Sequence, residues 1–148
     1  MSRIPTPATI EAAPLASQPM LEAVKKQLGS VPNLFRLVAT SPAALEGYLS
    51  MSGALGKGAL PAATRERIAL AVAEINGCGY CLAAHSFLGK NLAKLDDAEI
   101  EANRGGSSND AKADAAVRFA AKVTRERGHV SAEDLLTARE GQARDARA

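Results

Sequence analysis

Three glycines, Gly29, Gly77 and Gly128, each stand directly behind a long run in which apolar side chains recur every three or four positions. A helical period followed by the residue that most easily takes up left-handed backbone defines a helix and its stop together. Starts are equally legible. Ser41-Pro42 supplies a cap residue followed by Pro at the first helical position, and Ser131 precedes the last periodic run. No stretch alternates apolar and polar residues over the length of a strand, and no segment repeats. The expected helices are Gln18 to Leu28, a short one opened by Val31-Pro32-Asn33, Ser41 to about Leu55, and Pro61 to Asn76. They continue with one from the cysteines to about Ala93, a short one from Asp97 to Ala102, Asp110 to Arg127, and Ala132 to about Glu140. The pattern predicts an all-α, single-domain bundle of seven to eight helices over residues 17–140. Before it, residues 1–16 carry prolines at positions 5, 7 and 14 and are expected as an extended arm. Behind it, the polar segment 141–148 has no apolar stripe to bury and is expected to fray.

Composition matters at two points. Aromatic residues are only 3% of the chain and Trp is absent, while apolar residues reach 47%, so the core has to be built from Ala, Leu, Val and Ile. Lys and Arg total 18 against 16 Asp and Glu, a net charge of 18 − 16 = +2. That balance is too even to imply nucleic acid or an anionic membrane as partner. The start MSRIPTPATI has no apolar signal region, and no run is long and apolar enough to span a bilayer, so the expected location is cytoplasmic.

The chemistry concentrates in NGCGYCLAAH, residues 76–85, which contains both cysteines and one of the two histidines. In a reducing compartment a close cysteine pair points to metal binding or catalysis more than to a structural staple. With Cys81 set at zero on a helix, His85 falls at about 40°, Leu88 at about −20°, Leu92 at about 20° and Cys78, if helical, at about 60°. The thiols and the imidazole thus share the stripe that carries the leucines, which reads as facing the core. The opening turn of a helix presents unpaired N–H groups and the positive end of the dipole, which favour thiolate, and His85 lies one turn on to exchange protons.

The preceding helix supplies a further candidate. Ile68, Val72 and Ile75 form one buried stripe, and Arg67 and Glu74 a solvated face. Glu66 lies at about 160° from Ile68, beside Ala69, Leu70 and Ala73. A carboxylate on that apolar side is desolvated unless hydrogen-bonded, which makes it a general acid/base candidate. The break at Gly77 folds the two helices back on each other, and could bring Glu66 towards His85. From the residues alone three readings stand: zinc held by Cys78, Cys81 and His85 with Glu66 or His129 as fourth ligand, inert buried cysteines, or a redox pair.

Glu66, eleven intervening residues, and Cys78-x-x-Cys81-x-x-x-His85 together resemble the signature of the alkylhydroperoxidase D (AhpD) family, within the carboxymuconolactone decarboxylase-like superfamily. The flanking RERIALAVAEINGCGYCLAAH, the opening SRIPTP and VPNLFRL are similar to its peroxidase-related branch, and the resemblance extends over roughly residues 3–136. It implies an AhpD-like helical fold, a homo-oligomer (trimer or hexamer), and a thiol-dependent peroxidase that uses neither cofactor nor metal. On the matching positions it implies Cys81 as the peroxide-attacking cysteine, Cys78 as the one that closes a redox-active disulfide with it, and Glu66 and His85 as a proton relay. The implied partners are a small organic hydroperoxide or hydrogen peroxide and a dithiol reductant such as a lipoyl or thioredoxin-like protein. Tyr80, expected as a substrate-binding wall residue, stands where members with well-defined peroxidase activity often carry a His. Related chains usually continue with a further long apolar helix, whereas here the text runs into LLTAREGQARDARA. A thiol–disulfide exchange protein or redox sensor is the alternative activity, and a zinc-binding structural subunit the third.

Overall fold

The computed structural model describes residues 3–145, with side chains through residue 141. Its described residues form eight α-helices and one short 3-10 turn, with no strand among them. The helices are α1 (Gln18–Leu28), α2 (Asn33–Val38), α3 (Pro42–Leu55), α4 (Ala62–Ile75), α5 (Gly79–Asn91), α6 (Asp97–Arg104), α7 (Ala111–Arg125) and α8 (Ala132–Asp145). The all-α expectation holds, and so does the helix count. The chain falls into two compact units, Met1–Gly58 and Ala59–Ala148.

In the first unit, Leu21, Val31, Ala39 and Leu45 form a buried cluster with Ala13, and Ile10, Met20, Phe35, Val38 and Leu49 pack against it. Ile10 and Ala13 belong to the segment read as an arm, which is tied down here by its backbone carbonyls. Arg36 Nη1 donates to Ala8 O at 3.1 Å, and Gln18 Nε2 donates to Ala13 O at 3.0 Å. The buried Ser17 hydroxyl donates to Ala39 O at 2.8 Å, so this buried polar side chain is satisfied. Ser41 caps α3 as expected, its hydroxyl accepting from the Ala44 N–H.

In the second unit α4 is the central helix, touching α5, α6 and α7, while α8 lies on α7. That position explains why α4 is apolar around most of its circumference. One side presents Leu70 to Leu95 and Ile100, with Leu82 and Ala93 alongside. The other presents Ala71 to Val117 and Ala121, with Ile68 and Ile75 alongside. In these contacts Ala71, Ala93 and Ala121 fit between larger Leu, Ile and Val side chains. At Gly141 α8 lies close on α7, where an added Cβ would overlap the Ala115 side chain. α8 continues past the expected end at Glu140 because Ala, Arg, Gln and Glu are good helix formers and nothing stops the helix at Gly141. Residues 146–148 of the expected tail lie outside the described residues. Among the described residues no helix is long and apolar enough to cross a membrane.

Candidate redox site

The site is built at the turn between α4 and α5. Gly77 adopts φ +61°, the left-handed conformation that ends α4. The Cys78 N–H then reaches back to Ala73 O at 2.9 Å and the Gly77 N–H to Glu74 O at 3.0 Å, the paired bonds of a Schellman turn. This turn reverses the chain so that the next residue, Cys78, becomes the N-cap of α5. Its Sγ accepts the Cys81 N–H at 3.2 Å. Cys78 is therefore not helical, and its placement on the Cys81 stripe by helix angle does not apply. The two sulfurs are nevertheless joined as a disulfide, with their Cα atoms 5.3 Å apart, inside the usual range for such a bond.

One turn on from Cys81, His85 Nδ1 meets Glu66 Oε2 of α4 at 2.8 Å. An ionised carboxylate only accepts, so the imidazole donates through Nδ1–H and keeps Nε2 as its basic atom. Cys81 and His85 are four residues apart on one helix face, which puts their Cβ atoms about 5–6 Å apart. Both partners are half-buried, the His85 side chain 33% and the Glu66 side chain 23% exposed, so the pair is shielded yet open to a small reactant. Glu66 is thus hydrogen-bonded on the apolar side of α4 and not left bare.

The helix angles misassign the core side of α5. Leu92 is 71% exposed, and the residues of α5 that face the interior are Gly89 and Leu82. These lie about 100° round from Cys81, so the cysteines and His85 flank the core stripe and do not sit on it. The physical reason is that α5 packs on α4 and α6 through Leu82 and through Gly89, which lies against Leu95, a choice that the Leu88–Leu92 stripe does not reveal. Tyr80, in the first turn of α5, is half-exposed. His129 is an exposed residue of the α7–α8 loop, as expected. A zinc site would require both sulfurs as thiolates, but here they are bonded to each other. Among the described residues no three His, Cys, Asp or Glu side chains converge as metal ligands.

Arg67 departs most from expectation. Its side chain is only 11% exposed, and it binds Glu99 Oε1 through Nε at 2.7 Å and Asp110 Oδ2 at 3.0 Å. Glu99 also accepts from Asn103 Nδ2 at 2.9 Å, Ser108 Oγ at 2.5 Å and the Asn109 N–H at 2.7 Å. Burial alone would push the Glu99 carboxyl up, but the donors Ser108, Asn103, Arg67 and the Asn109 N–H together hold it below its ordinary value. The partners come from α6 and the loop behind it, more than thirty residues along the chain, so a wheel drawn for α4 alone places Arg67 in solvent. The only signal in the sequence was the polar run Gly105 to Asn109, which read simply as a loop. Arg67 immediately follows Glu66, so the network ties α4 down beside the residue that meets His85.

Fold and site together define an all-helical protein with a C-x-x-C disulfide at the head of one helix and a His–Glu pair one turn behind it. The sequence pattern of the carboxymuconolactone decarboxylase family matches residues 42–126, and the chain belongs to that family. Among solved structures it is similar to a peroxidase-related protein from Silicibacter sp. TM1040, at 28% identity and a TM-score of 0.76, over 95% of this chain and 78% of that one. It is also similar to an alkylhydroperoxidase AhpD core, a peroxidase-related protein from Ralstonia eutropha JMP134. There the identity is 26% and the TM-score 0.80, over 94% of this chain and 75% of that one. No curated protein matches the chain significantly. The resemblance to AhpD-like, peroxidase-related proteins is thus borne out for family and fold.

Proposed function

We propose that the protein is a thiol-dependent peroxidase that reduces small organic hydroperoxides or hydrogen peroxide through a Cys78/Cys81 dithiol–disulfide cycle. The observation that carries this reading is the bonded cysteine pair one helical turn from the His85–Glu66 hydrogen bond. In the reduced protein His85 Nε2 accepts the Cys81 proton, and the Cys81 thiolate attacks the O–O bond. Cys81 becomes a sulfenic acid, and the alkoxide leaves as alcohol with the proton that His85 returns. Glu66 holds the imidazole in the Nδ1–H form throughout and stabilises its transient charge. Cys78 then attacks the Cys81 sulfur, closing the disulfide and releasing water. An external dithiol, such as a lipoyl or thioredoxin-like protein, restores the thiols by exchange. The cycle uses no metal and no cofactor. In this reading the chain works in the cytoplasm as a homo-oligomer, trimer or hexamer, and Tyr80 lines the approach to Cys81. The likeness of the chain to peroxidase-related structures supports it.

The test is peroxide consumption with thiol counting. One equivalent of cumene hydroperoxide is expected to remove two free thiols per chain. Cys81→Ser is expected to abolish turnover, and Cys78→Ser to leave a sulfenic acid on Cys81 that dimedone traps. If Cys81→Ser consumes peroxide as fast as the wild type, the assignment is wrong. The second reading, a thiol–disulfide exchange protein, shares the disulfide at the helix head and predicts faster reaction with an oxidised dithiol than with any peroxide.

A further inference from the structure

The two cysteines meet α5 in different ways. Cys78 is the N-cap, with φ −87° and ψ 88°, and its Sγ accepts the Cys81 N–H. A sulfur in this position has a fixed backbone donor and the positive end of the helix dipole beside it at every pH. Cys81 lies inside the first turn, and its proton has to pass to an imidazole whose other nitrogen is bound to Glu66. The charged side chains on α5 and on the helices packed against it are matched with partners. Glu66 meets His85, Glu74 meets Arg104, Lys90 meets Asp97, Glu99 meets Arg67, and Glu101 lies 3.7 Å from Arg104. Of the remaining groups there, Arg65 donates to Leu60 O, and Asp96 caps α6. With these side-chain charges matched, Cys78 is the sulfur with a fixed backbone donor, whereas Cys81 depends on passing its proton to His85.

We infer that Cys78 is the cysteine of the pair that ionises first, and therefore the sulfur that departs as thiolate when a dithiol opens the disulfide. This inference rests on the dithiol–disulfide cycle proposed above and assigns its reductive half. A reductant thiolate attacks Cys81 Sγ, and a new S–S bond to Cys81 forms as the Cys78–Cys81 bond breaks. The bonding electron pair leaves with Cys78, whose charge the Cys81 N–H receives. The second thiolate of the dithiol then attacks the reductant sulfur of this mixed disulfide. Cys81 is released as thiolate and protonated through His85, and the dithiol departs as its own disulfide. Two electrons pass from the dithiol to the cysteine pair. The better-stabilised thiolate is the better leaving group, so the direction of attack follows from the capping geometry. In the oxidative half the same feature keeps Cys78 ready as thiolate to attack the Cys81 sulfenic acid.

Two peroxide-free measurements test this, so their outcome is separable from that of the peroxidase reading. The first follows thiolate absorbance at 240 nm against pH in single-cysteine variants. Cys81→Ser, which retains Cys78 and the capping N–H, is expected to ionise about one pH unit or more below Cys78→Ser. Cys81→Pro removes the N–H donor in a first turn where that N–H has no intrahelical partner, and is expected to shift the Cys78 midpoint back up. The second mixes oxidised wild-type protein with 2-mercaptoethanol, quenches with iodoacetamide and maps the adducts by mass spectrometry. The mixed disulfide is expected on Cys81 and the alkyl group on Cys78. Earlier ionisation of Cys81, or a mixed disulfide on Cys78, overturns the inference. If Cys81→Pro does not fold, the adduct map on wild type still decides.

Discussion

Replacing Glu99 tests whether the Arg67 network is the clamp that sets α4. Glu99 is 6% exposed and accepts four hydrogen bonds, one of them from a guanidinium that is itself nearly buried. Glu99→Ala removes the acceptor for all four and leaves Arg67 with Asp110 alone. Removing one partner of a buried ion pair costs about 3–5 kcal/mol, and hydrogen bonds to a charged group about 1.5–3 kcal/mol each when lost singly. The contributions are coupled, so the expected loss for Glu99→Ala is about 3–5 kcal/mol, or roughly 10–20 °C in Tm. Glu99→Gln keeps the shape, loses the charge and is expected to lose less. The pH dependence follows from the direction of the shift. The Glu99 carboxyl is held below its ordinary value in the folded state, so the unfolded chain binds the proton first as pH falls. The stabilisation is complete above the unfolded value of about 4.3 and disappears as pH drops through the lower folded value. Urea unfolding followed by circular dichroism between pH 7 and pH 3 measures both quantities. Wild type is expected to lose stability with acid more steeply than Glu99→Gln. If Glu99→Ala unfolds with the wild-type midpoint, or if Glu99→Gln shows the same acid slope as wild type, the reasoning fails.

Glu66→Gln keeps a hydrogen-bonding group beside His85 Nδ1 but removes the charge that stabilises the imidazolium. Peroxide consumption is expected to fall by about 100-fold or more while the disulfide still forms with diamide, and an unchanged peroxide rate would remove Glu66 from the relay. Gly141→Ala forces a methyl into the Ala115 contact between α7 and α8. The expected cost is about 1–3 kcal/mol in urea unfolding, and equal or greater stability would show that the two helices are not held at that distance.

The periodicity of apolar residues, the glycine stops and the Ser caps determined that the chain is all-helical and where most helices begin, although α8 runs past its expected end. These are local properties: one turn of backbone decides them, and the residues that decide them are neighbours in sequence. Both cysteines, His85 and Glu66 were also legible as candidates, because C-x-x-C places Cys78 and Cys81 at a helix start and the i, i+4 step places His85 one turn further on. Tertiary structure decided the rest. Whether Cys78 lay inside α5 or capped it depended on the turn at Gly77, whose two reverse bonds leave Cys78 outside the helix. The core side of α5 passed from the leucine stripe to Gly89 and Leu82 because α4 and α6 pack on that side, and a single helix carries no record of its neighbours. The fate of Arg67 is the clearest case. A charge goes inside only when its desolvation is offset by a partner and hydrogen bonds, and those were supplied by Glu99 and Asp110 from distant segments that only the folded chain brings to α4.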